Sequence, residues 1–163
     1  MLLKFDGAEQ TLTTMGAQGA FLTAGGAGQE NVMTVGWGMF GVMWYKRILV
    51  VPVRESRYTK ELIDKNGEFG VSVPKSGEFL KELGFCGNKS GRDVDKFEAA
   101  KLVKRKANKI NTCLVDSCEK YYECKLICKV PLTADILPED IKKSAYARPD
   151  YHVLYLGEII AEN

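Results

Sequence analysis

Short β-prone runs separated by glycines make up most of the sequence, and this spacing limits the chain to a fold of many short strands. The chain has 16 glycines, half of them between residues 16 and 41. Apolar or alternating runs, which predict strands, occur at residues 20–23, 31–37, 47–53, 68–73, 121–130 and 151–160. The glycine-rich residues 25–30 predict a turn between the first two runs. The run 47–53 predicts a strand buried on both faces, with Pro52 near its end or at an edge.

Helical signals are fewer and shorter than strand signals. Ser56 is a candidate N-cap for a helix that ends at Gly67. The remaining signals predict a short helix at 78–83 ended by Gly84, a loop at 84–93, a helical turn capped by Asp93, and a loop or short helix at 137–149. Because strands and helices do not alternate regularly, a parallel doubly wound fold is disfavoured. We therefore predict a mainly β fold, a small barrel with added helices.

Length and charge exclude several classes of protein. A chain of 163 residues suits a single domain spanning residues 1–163. Its 23 basic and 21 acidic residues give a net charge of +2, which argues against a dedicated nucleic-acid binder. No apolar run reaches the roughly 18 residues of a membrane helix, and the charged Lys4 and Asp6 argue against a secretory signal. We expect a cytoplasmic protein that contacts neither nucleic acid nor membrane.

The five cysteines have two possible roles. Their odd number, without a secretory signal, indicates reduced thiols. Four of them fall between residues 113 and 128, but with four, five and three intervening residues they lack the paired C-x2-C spacing of zinc ribbons. Cys124 and Cys128 also lie in a predicted strand, where residues four apart share a face. We favour buried thiols and expect no metal.

The strongest local signal for a ligand is the segment that follows the run 47–53. A helix start offers free N–H groups and a positive dipole end, which suit an anion. Arg54 and Arg57 add two guanidinium groups there, and Ser56 and Thr59 add two hydroxyls. This set suits one phosphate monoester. The alternative is that Ser56 only caps the helix and the arginines are solvated.

A second signal is the glycine-rich aromatic segment 31–44. Its glycines allow a flat ring to approach the backbone, and its large side chains could wall that ring: Trp37, Met39, Phe40, Met43 and Trp44. The alternative is an ordinary barrel strand with a packed core. Neither a Walker A nor a Gly-x-Gly-x-x-Gly sequence is present, so nucleotide binding of the usual α/β type is unsupported.

The third signal is His152, the only histidine of the chain. A lone histidine cannot form a metal site without several carboxylate or thiolate partners. It can still donate a hydrogen bond near neutral pH. The alternative is a purely structural histidine.

Four stretches together resemble the flavin reductase-like family, the FMN-binding split barrels. They are residues 31–38, 51–59 and 86–97, and His152 followed by Gly157 and Glu158. The resemblance extends over roughly residues 16–160. It implies a six-stranded Greek-key split barrel with added helices, usually a homodimer, with FMN in a groove near the subunit interface.

The resemblance also implies roles for individual residues. The grip on the FMN phosphate and ribityl chain is expected from Arg54, Ser56, Arg57, Tyr58 and Thr59. The isoalloxazine is expected to lie against Asn31, Met33, Thr34 and Trp37. A loop beside the flavin is expected to contribute Cys86, Gly87 and Ser90, with Cys86 packing or donating weakly and not acting as a redox centre. His152 is expected near the exposed face of the flavin, where an imidazole can hold a nicotinamide or a substrate oxygen.

The sequence departs from the two-component monooxygenase reductases of this family at residues 31–40. Those reductases typically carry an Asn-Ser-Phe-type stretch and a Ser-Leu-x-Pro-Pro turn there, and this chain resembles the flavoredoxin-like branch more. Three functions stay open. The first is an NADH- or NADPH-dependent flavin reductase that passes hydride to FMN N5 and electrons to an acceptor. The second is an electron carrier with bound FMN, a redox partner protein and no nicotinamide site, and the third is a flavin-storage module.

Overall fold

The structure is a computed structural model that describes residues 3–26 and 28–163. The strands in the described ranges are β1 Ala20–Ala24, β2 Asn31–Val35, β3 Met39–Met43, β4 Lys46–Arg54, β5 Glu68–Val73, β6 Lys104–Lys106, β7 Cys113–Val115, β8 Lys120–Pro131 and β9 His152–Glu162. The α-helices are α1 Ala8–Gln18, α2 Tyr58–Asn66, α3 Leu80–Asn88, α4 Lys96–Ala99 and α5 Glu139–Ala145. A 3-10 turn spans Ala134–Ile136.

Seven strands form one antiparallel sheet in the order β2-β1-β5-β8-β9-β4-β3, and β6 and β7 form a separate pair. The mainly β architecture with added helices confirms the prediction, with seven strands in the main sheet where six were expected. The extra strand arises because residues 36–38 divide the segment 31–44 into β2 and β3, the two edges of the sheet.

The short link between β2 and β3 forces the sheet to curl. In a flat sheet of seven strands the two edges would lie about 29 Å apart, at about 4.8 Å per strand. The chain from Val35 to Met39 spans at most about 14 Å when fully extended. The edges must therefore approach each other, and the sheet closes into an incomplete barrel.

The interior of this barrel holds the main hydrophobic core, which includes Leu22, Leu49, Val51, Val71, Tyr122 and Tyr155. Strand β1 is buried along its whole length because its opposite face packs against a second core. That second core joins Phe21 to Leu83 and Cys86 of α3 and to Phe97 of α4. Two helices are thereby fixed against the outer face of β1 and β2.

Gly157 is required by packing inside the barrel. A Cβ atom at this position in β9 would lie 2.5 Å from Cζ of Phe69 and 2.8 Å from Cβ of Cys124. The neighbouring Glu158 carboxylate pairs with the Lys46 ammonium group, 2.7 Å away. Both residues of the Gly157-Glu158 signature therefore have structural contacts within the sheet.

Several sequence predictions are corrected by the structure. Helix α1 was not predicted, because its two buried threonines and one buried methionine give a weak apolar stripe. Helix α3 continues through Gly84 to Asn88, so the first part of the predicted loop 84–93 is helical. The cap of α4 is Asp95 and not Asp93, and its carboxylate accepts hydrogen bonds from the backbone N–H groups of Phe97 and Glu98.

The predictions for the strand run 47–53 and the first turn have mixed outcomes. Pro52 lies near the end of β4, as predicted, and beyond the part of the strand that pairs with β3. It is partly exposed, so β4 is not buried on both faces. The predicted turn 25–30 includes Ala27, which lies outside the described residues, but its flanks Ala24 and Asn31 are paired as a hairpin requires.

Candidate functional site

Two adjoining cavities lie where β2 meets the start of α2 and the end of α3. The first, here called the Trp37 cavity, has a volume of about 250 Å³ and is lined by Met33, Thr34, Val35, Gly36, Trp37, Pro52, Arg54, Arg57, Gly87 and His152. The second, the Lys96 cavity, has a volume of about 170 Å³ and is lined by Asn31, Ser56, Arg57, Tyr58, Thr59, Asn88, Lys89, Ser90, Gly91 and Lys96. Arg57 borders both, so the two cavities adjoin, and together they are here called the groove.

Two side-chain hydrogen bonds attach β2 to the helices around this groove. The Asn31 amide donates to Oγ1 of Thr59 in α2 at 2.9 Å. The Thr34 hydroxyl donates to the Leu83 carbonyl oxygen in α3 at 2.6 Å. The packing is tight at Gly91, where a Cβ atom would overlap the Asn31 side-chain amide. Asn31, Thr34 and Thr59 therefore hold the groove together as well as lining it.

Arg57 and Lys96 place two positive charges at the Lys96 cavity. Arg57 donates to the carbonyl oxygens of Gly87 (2.6 Å) and Cys86 (3.1 Å). The Lys96 ammonium donates to the Cys86 and Lys89 carbonyl oxygens, both at 3.1 Å. These carbonyls lie at the C-terminal end of α3, which carries the negative end of the helix dipole.

The charged groups of Lys96 and Arg57 are withdrawn from water, which is unusual for lysine and arginine side chains. Lys96 is only 2% exposed, and burial lowers its pKa to about 8, with the charge of Arg57 acting in the same direction. Burial also lowers the pKa of Arg57. Within the described residues, neither side chain forms an ion pair with a carboxylate. Because a buried charge without a counterion is costly, the cavity is suited to receive an anion.

Ser56 does not cap α2, contrary to the prediction. The helix starts at Tyr58, and its N-cap residue Arg57 makes no side-chain capping bond. The Ser56 hydroxyl donates to one oxygen of the Asp150 carboxylate at 2.5 Å, and its backbone N–H donates to the other at 3.1 Å. The Asp150 carboxylate thus accepts hydrogen bonds from both polar groups of Ser56 in the turn before the helix.

Arg54 lines only one of the two cavities, whereas Arg57 lines both. Arg54 borders the Trp37 cavity and does not line the Lys96 cavity. Its guanidinium donates to the carbonyl oxygens of Asp150 (2.7 Å) and Ala145 (2.9 Å), and it lies 5.2 Å from the centre of the Tyr146 ring. Its described contacts therefore hold the segment between α5 and β9.

His152 lies at the Trp37 cavity. Its ring centre is 5.1 Å from that of Trp37, and Nδ1 is 2.7 Å from the Tyr146 hydroxyl. Burial, with a smaller contribution from the positive charge of Arg54, lowers the pKa of His152 to about 4, against an opposing effect of Asp150. The imidazole is therefore uncharged at neutral pH.

Cys86 lies in helix α3 and not in a loop, and it is fully buried in the second core. Burial raises its pKa to about 11, so the thiolate form that redox chemistry needs is disfavoured. All five cysteines are unpaired, and burial also raises the pKa of Cys113 and Cys118 to about 12. In the described part of the chain, no cluster of three or more Cys, His, Asp or Glu side chains could hold a metal ion.

The structure brings every residue that the resemblance assigned to the site to this groove except Cys86, whose carbonyl oxygen accepts hydrogen bonds from Arg57 and Lys96. Of the five side chains expected to wall a flat ring, only Trp37 lines the groove. Phe40 packs against the main core instead, and Met39, Met43 and Trp44 are exposed. Lys96 and Tyr146 were missed by the sequence analysis. Lys96 belongs to the stretch 86–97 that carried the family resemblance, so a signal for it existed. Tyr146 had none, because the segment 137–149 reads only as a polar loop.

Comparison with known proteins identifies the family of the chain. The sequence profile of the flavin reductase like domain matches residues 12–162. The chain belongs to the flavin reductase-like family. The incomplete barrel with added helices is accordingly the split-barrel fold of flavin reductase-like proteins.

Proteins similar to this chain include both sequence relatives and solved structures. The chain is 30% identical over 140 residues to an uncharacterized protein of Archaeoglobus fulgidus, which covers 86% of this chain and 68% of that protein. The crystal structure of flavoredoxin from Methanosarcina acetivorans superposes with a TM-score of 0.67 and 28% identity, over 90% of this chain and 67% of that one. Flavoredoxin of Desulfovibrio vulgaris (Miyazaki F) gives a TM-score of 0.70 at 19% identity, over 99% and 76% of the two chains, which shows a shared fold.

No helix in residues 3–26 and 28–163 of this flavin reductase-like protein is long and apolar enough to cross a membrane.

Proposed function

We propose that residues 1–163 form one FMN-binding domain that reduces its flavin with NADH or NADPH and passes the electrons to an acceptor. The observation that carries this proposal is the pair of cations, the partly buried Arg57 and the buried Lys96, at a small cavity that adjoins the cavity of Trp37. FMN has a matching shape, because its short ribityl chain carries one phosphate at one end and a flat ring system at the other end.

The residues of the groove fit FMN in both parts. The phosphate suits the Lys96 cavity, where two cations lack a carboxylate partner among the described residues and the hydroxyls of Ser56, Thr59 and Ser90 line the wall. The isoalloxazine suits the Trp37 cavity, which offers the Trp37 ring and the backbone of residues 33–36. FMN when bound supplies the redox chemistry, since its ring system takes up a hydride and passes electrons on.

His152 is proposed to hold the reacting partner. Its imidazole is uncharged at neutral pH, and it borders the same cavity as Trp37. An uncharged imidazole can hydrogen-bond to the amide of a nicotinamide or to a substrate oxygen, and so keep that molecule in place. Arg54 lies directly opposite His152, because the two residues are paired in the register of β4 and β9.

We expect the purified protein to bind about one FMN per chain and to reduce it rapidly with a nicotinamide. The test is anaerobic mixing of the FMN-loaded protein with NADH, then with NADPH, while the flavin absorbance is recorded. Bleaching within milliseconds to seconds, the range of ordinary enzyme turnover, supports the reductase. A protein that fails to bind FMN contradicts the whole proposal.

The second candidate function is an electron carrier with tightly bound FMN and no nicotinamide site. The observation that favours it is the structural similarity to flavoredoxin from Methanosarcina acetivorans. In this case electrons arrive from a redox partner protein. The mixing experiment separates the two candidates, because a carrier keeps its oxidised flavin spectrum with both nicotinamides and bleaches only with a protein or chemical reductant.

We expect a homodimer, because the edge strand β3 and the residues on either side of it expose a row of large apolar side chains. They are Trp37, Met39, Val42, Met43, Trp44 and Tyr45, with Tyr45 96% exposed. Exposed apolar patches of this kind are typical of interfaces, and Trp37 links this patch to the groove. Light scattering at micromolar concentration should give twice the 18.1 kDa mass of the chain. A monomer mass would contradict the dimer without affecting FMN binding.

We place the protein in the cytoplasm. Its five unpaired thiols are typical of a reducing compartment, and the nicotinamides proposed as electron donors are available there.

A further inference from the structure

The contact between Tyr146 and His152 has no part in binding FMN as described above, and it determines which ring nitrogen of His152 carries the proton. Tyr146 follows the last residue of α5, and both side chains are 8% exposed. The Tyr146 hydroxyl oxygen lies 2.7 Å from Nδ1 of His152. At this distance one of the two groups donates a hydrogen bond to the other.

Tyr146 is held in place from several sides. Arg54 hydrogen-bonds to the carbonyl oxygens of Ala145 and Asp150, which flank the tyrosine in the chain. The same guanidinium lies over the Tyr146 ring, and the ring of Tyr151 packs 4.9 Å away. Since these contacts fix the ring, the hydroxyl has a defined direction.

The direction of the hydrogen bond follows from the need to satisfy the tyrosine proton. In the described ranges, the Tyr146 hydroxyl makes no hydrogen bond other than the one to Nδ1. If Nδ1 carried a proton and donated it, the buried hydroxyl proton would lack an acceptor, which costs free energy. If the hydroxyl donates, Nδ1 is satisfied and the ring proton lies on Nε2. The adjacent Arg54 charge disfavours a second proton on the ring.

We propose that Tyr146 is a positioning residue that fixes His152 as the Nε2–H tautomer, so that the imidazole presents a hydrogen-bond donor at the Trp37 cavity. The group that it recognises is then a hydrogen-bond acceptor, such as an amide carbonyl oxygen, and not an N–H or O–H donor. The tautomer rests on the geometry alone. The identity of its ligand, as a nicotinamide or a carbonyl-containing substrate, rests on the proposed function.

The test uses the fact that the chain has one histidine. Protein labelled with ¹⁵N-histidine and saturated with oxidised FMN gives two ring-nitrogen signals, which couplings to Hδ2 and Hε1 assign to Nδ1 and Nε2. We expect Nδ1 at the position of an unprotonated nitrogen and Nε2 at that of a protonated one. In Tyr146→Phe both signals should move toward intermediate positions, because the ring then exchanges between tautomers.

Tyr151→Phe is the matched control, since it removes a hydroxyl from the same aromatic cluster and should leave both nitrogen signals unchanged. The pKa of His152, read from the same signals, should rise in Tyr146→Phe because a bond to the uncharged ring is lost. The charged or titratable groups facing the ring are Arg54 and Arg57, Asp150 before β9, and Tyr146 itself. None of the first three is altered by the substitution.

A protonated Nδ1 in the wild type overturns the proposal, and so do unchanged nitrogen signals in Tyr146→Phe. If Tyr146→Phe does not fold, the wild type still decides the tautomer, because a protonated Nε2 together with an unprotonated Nδ1 supports donation by Tyr146 and a protonated Nδ1 overturns it. All these signals are independent of nicotinamide. A confirmed tautomer in a protein that NADH and NADPH do not reduce therefore refutes the reductase function and leaves the role of Tyr146 standing.

Discussion

Replacing Lys96 with methionine should weaken FMN binding about 10- to 100-fold and leave riboflavin binding within about twofold. The reason is that Lys96 carries a buried charge at the cavity proposed for the phosphate, which riboflavin lacks. A hydrogen bond to a charged group contributes about 1.5–3 kcal/mol, which corresponds to this range of affinity. The measurement is the dissociation constant of each flavin, from quenching of its fluorescence by protein stripped of cofactor.

The ratio of the FMN affinity to the riboflavin affinity distinguishes loss of the phosphate contact from damage to the fold. Lys96→Met also removes two hydrogen bonds to the end of α3, and damage to that helix should weaken both flavins equally. Lys65→Met, on the exposed side of α2, makes the same change of charge away from the groove and should alter neither affinity.

Arg57→Ala should weaken FMN binding at least tenfold, because it also removes a charged hydrogen-bond donor at the cavity proposed for the phosphate. Equal affinity of the wild type for FMN and riboflavin would refute the phosphate placement.

The pH dependence of binding gives a second signature of Lys96. Its pKa is lowered to about 8 without ligand, and a bound phosphate favours the charged form and raises that pKa. FMN affinity should therefore be nearly constant from about pH 7, where the phosphate of FMN carries two charges, to about pH 8. It should fall as the pH rises further, because the free protein then loses the proton that binding requires. This fall should be absent in Lys96→Met and for riboflavin.

The sequence allowed the strands to be predicted better than the path between them. The runs that became β4, β5 and β9 carry enough apolar residues to be recognised without tertiary contacts. By contrast, residues 31–44 read as one strand, and only the barrel shows that residues 36–38 carry the chain from one sheet edge to the other. Helix α3 runs past Gly84 because the buried Leu83 and Cys86 pack against Phe21, a contact that local propensity does not include.

The sequence predicted most of the residues that form the candidate site. It did not predict their positions or their hydrogen-bond partners. Arg54 and Arg57 are three residues apart, yet one ends β4 and the other precedes α2, so Arg57 reaches the Lys96 cavity and Arg54 does not. Ser56 has the residue type of a helix cap, but the Asp150 carboxylate, distant in sequence, binds its hydroxyl. The charge of Lys96 was visible in the sequence, whereas its burial against the end of α3 was not.

His152→Ala should retain FMN and slow the reduction of the flavin by nicotinamide about 10- to 100-fold, a barrier increase of about 1.4–2.7 kcal/mol. FMN should remain bound because the phosphate grip lies in the Lys96 cavity, which His152 does not line. The slowing follows from the loss of the imidazole that keeps the nicotinamide in place. Stopped-flow absorbance at saturating nicotinamide measures the rate, and a flavin titration measures the affinity.

His152→Gln is the matched variant, because its amide N–H can replace part of the lost donor and should restore part of the rate. In the wild type the rate should show no histidine titration between pH 5 and 8, since burial lowers the pKa of His152 to about 4 and the ring stays uncharged throughout. Loss of FMN or of the fold in His152→Ala would make His152 structural. A rate equal to that of the wild type would remove His152 from hydride transfer, and the carrier function would then be the better account of this groove.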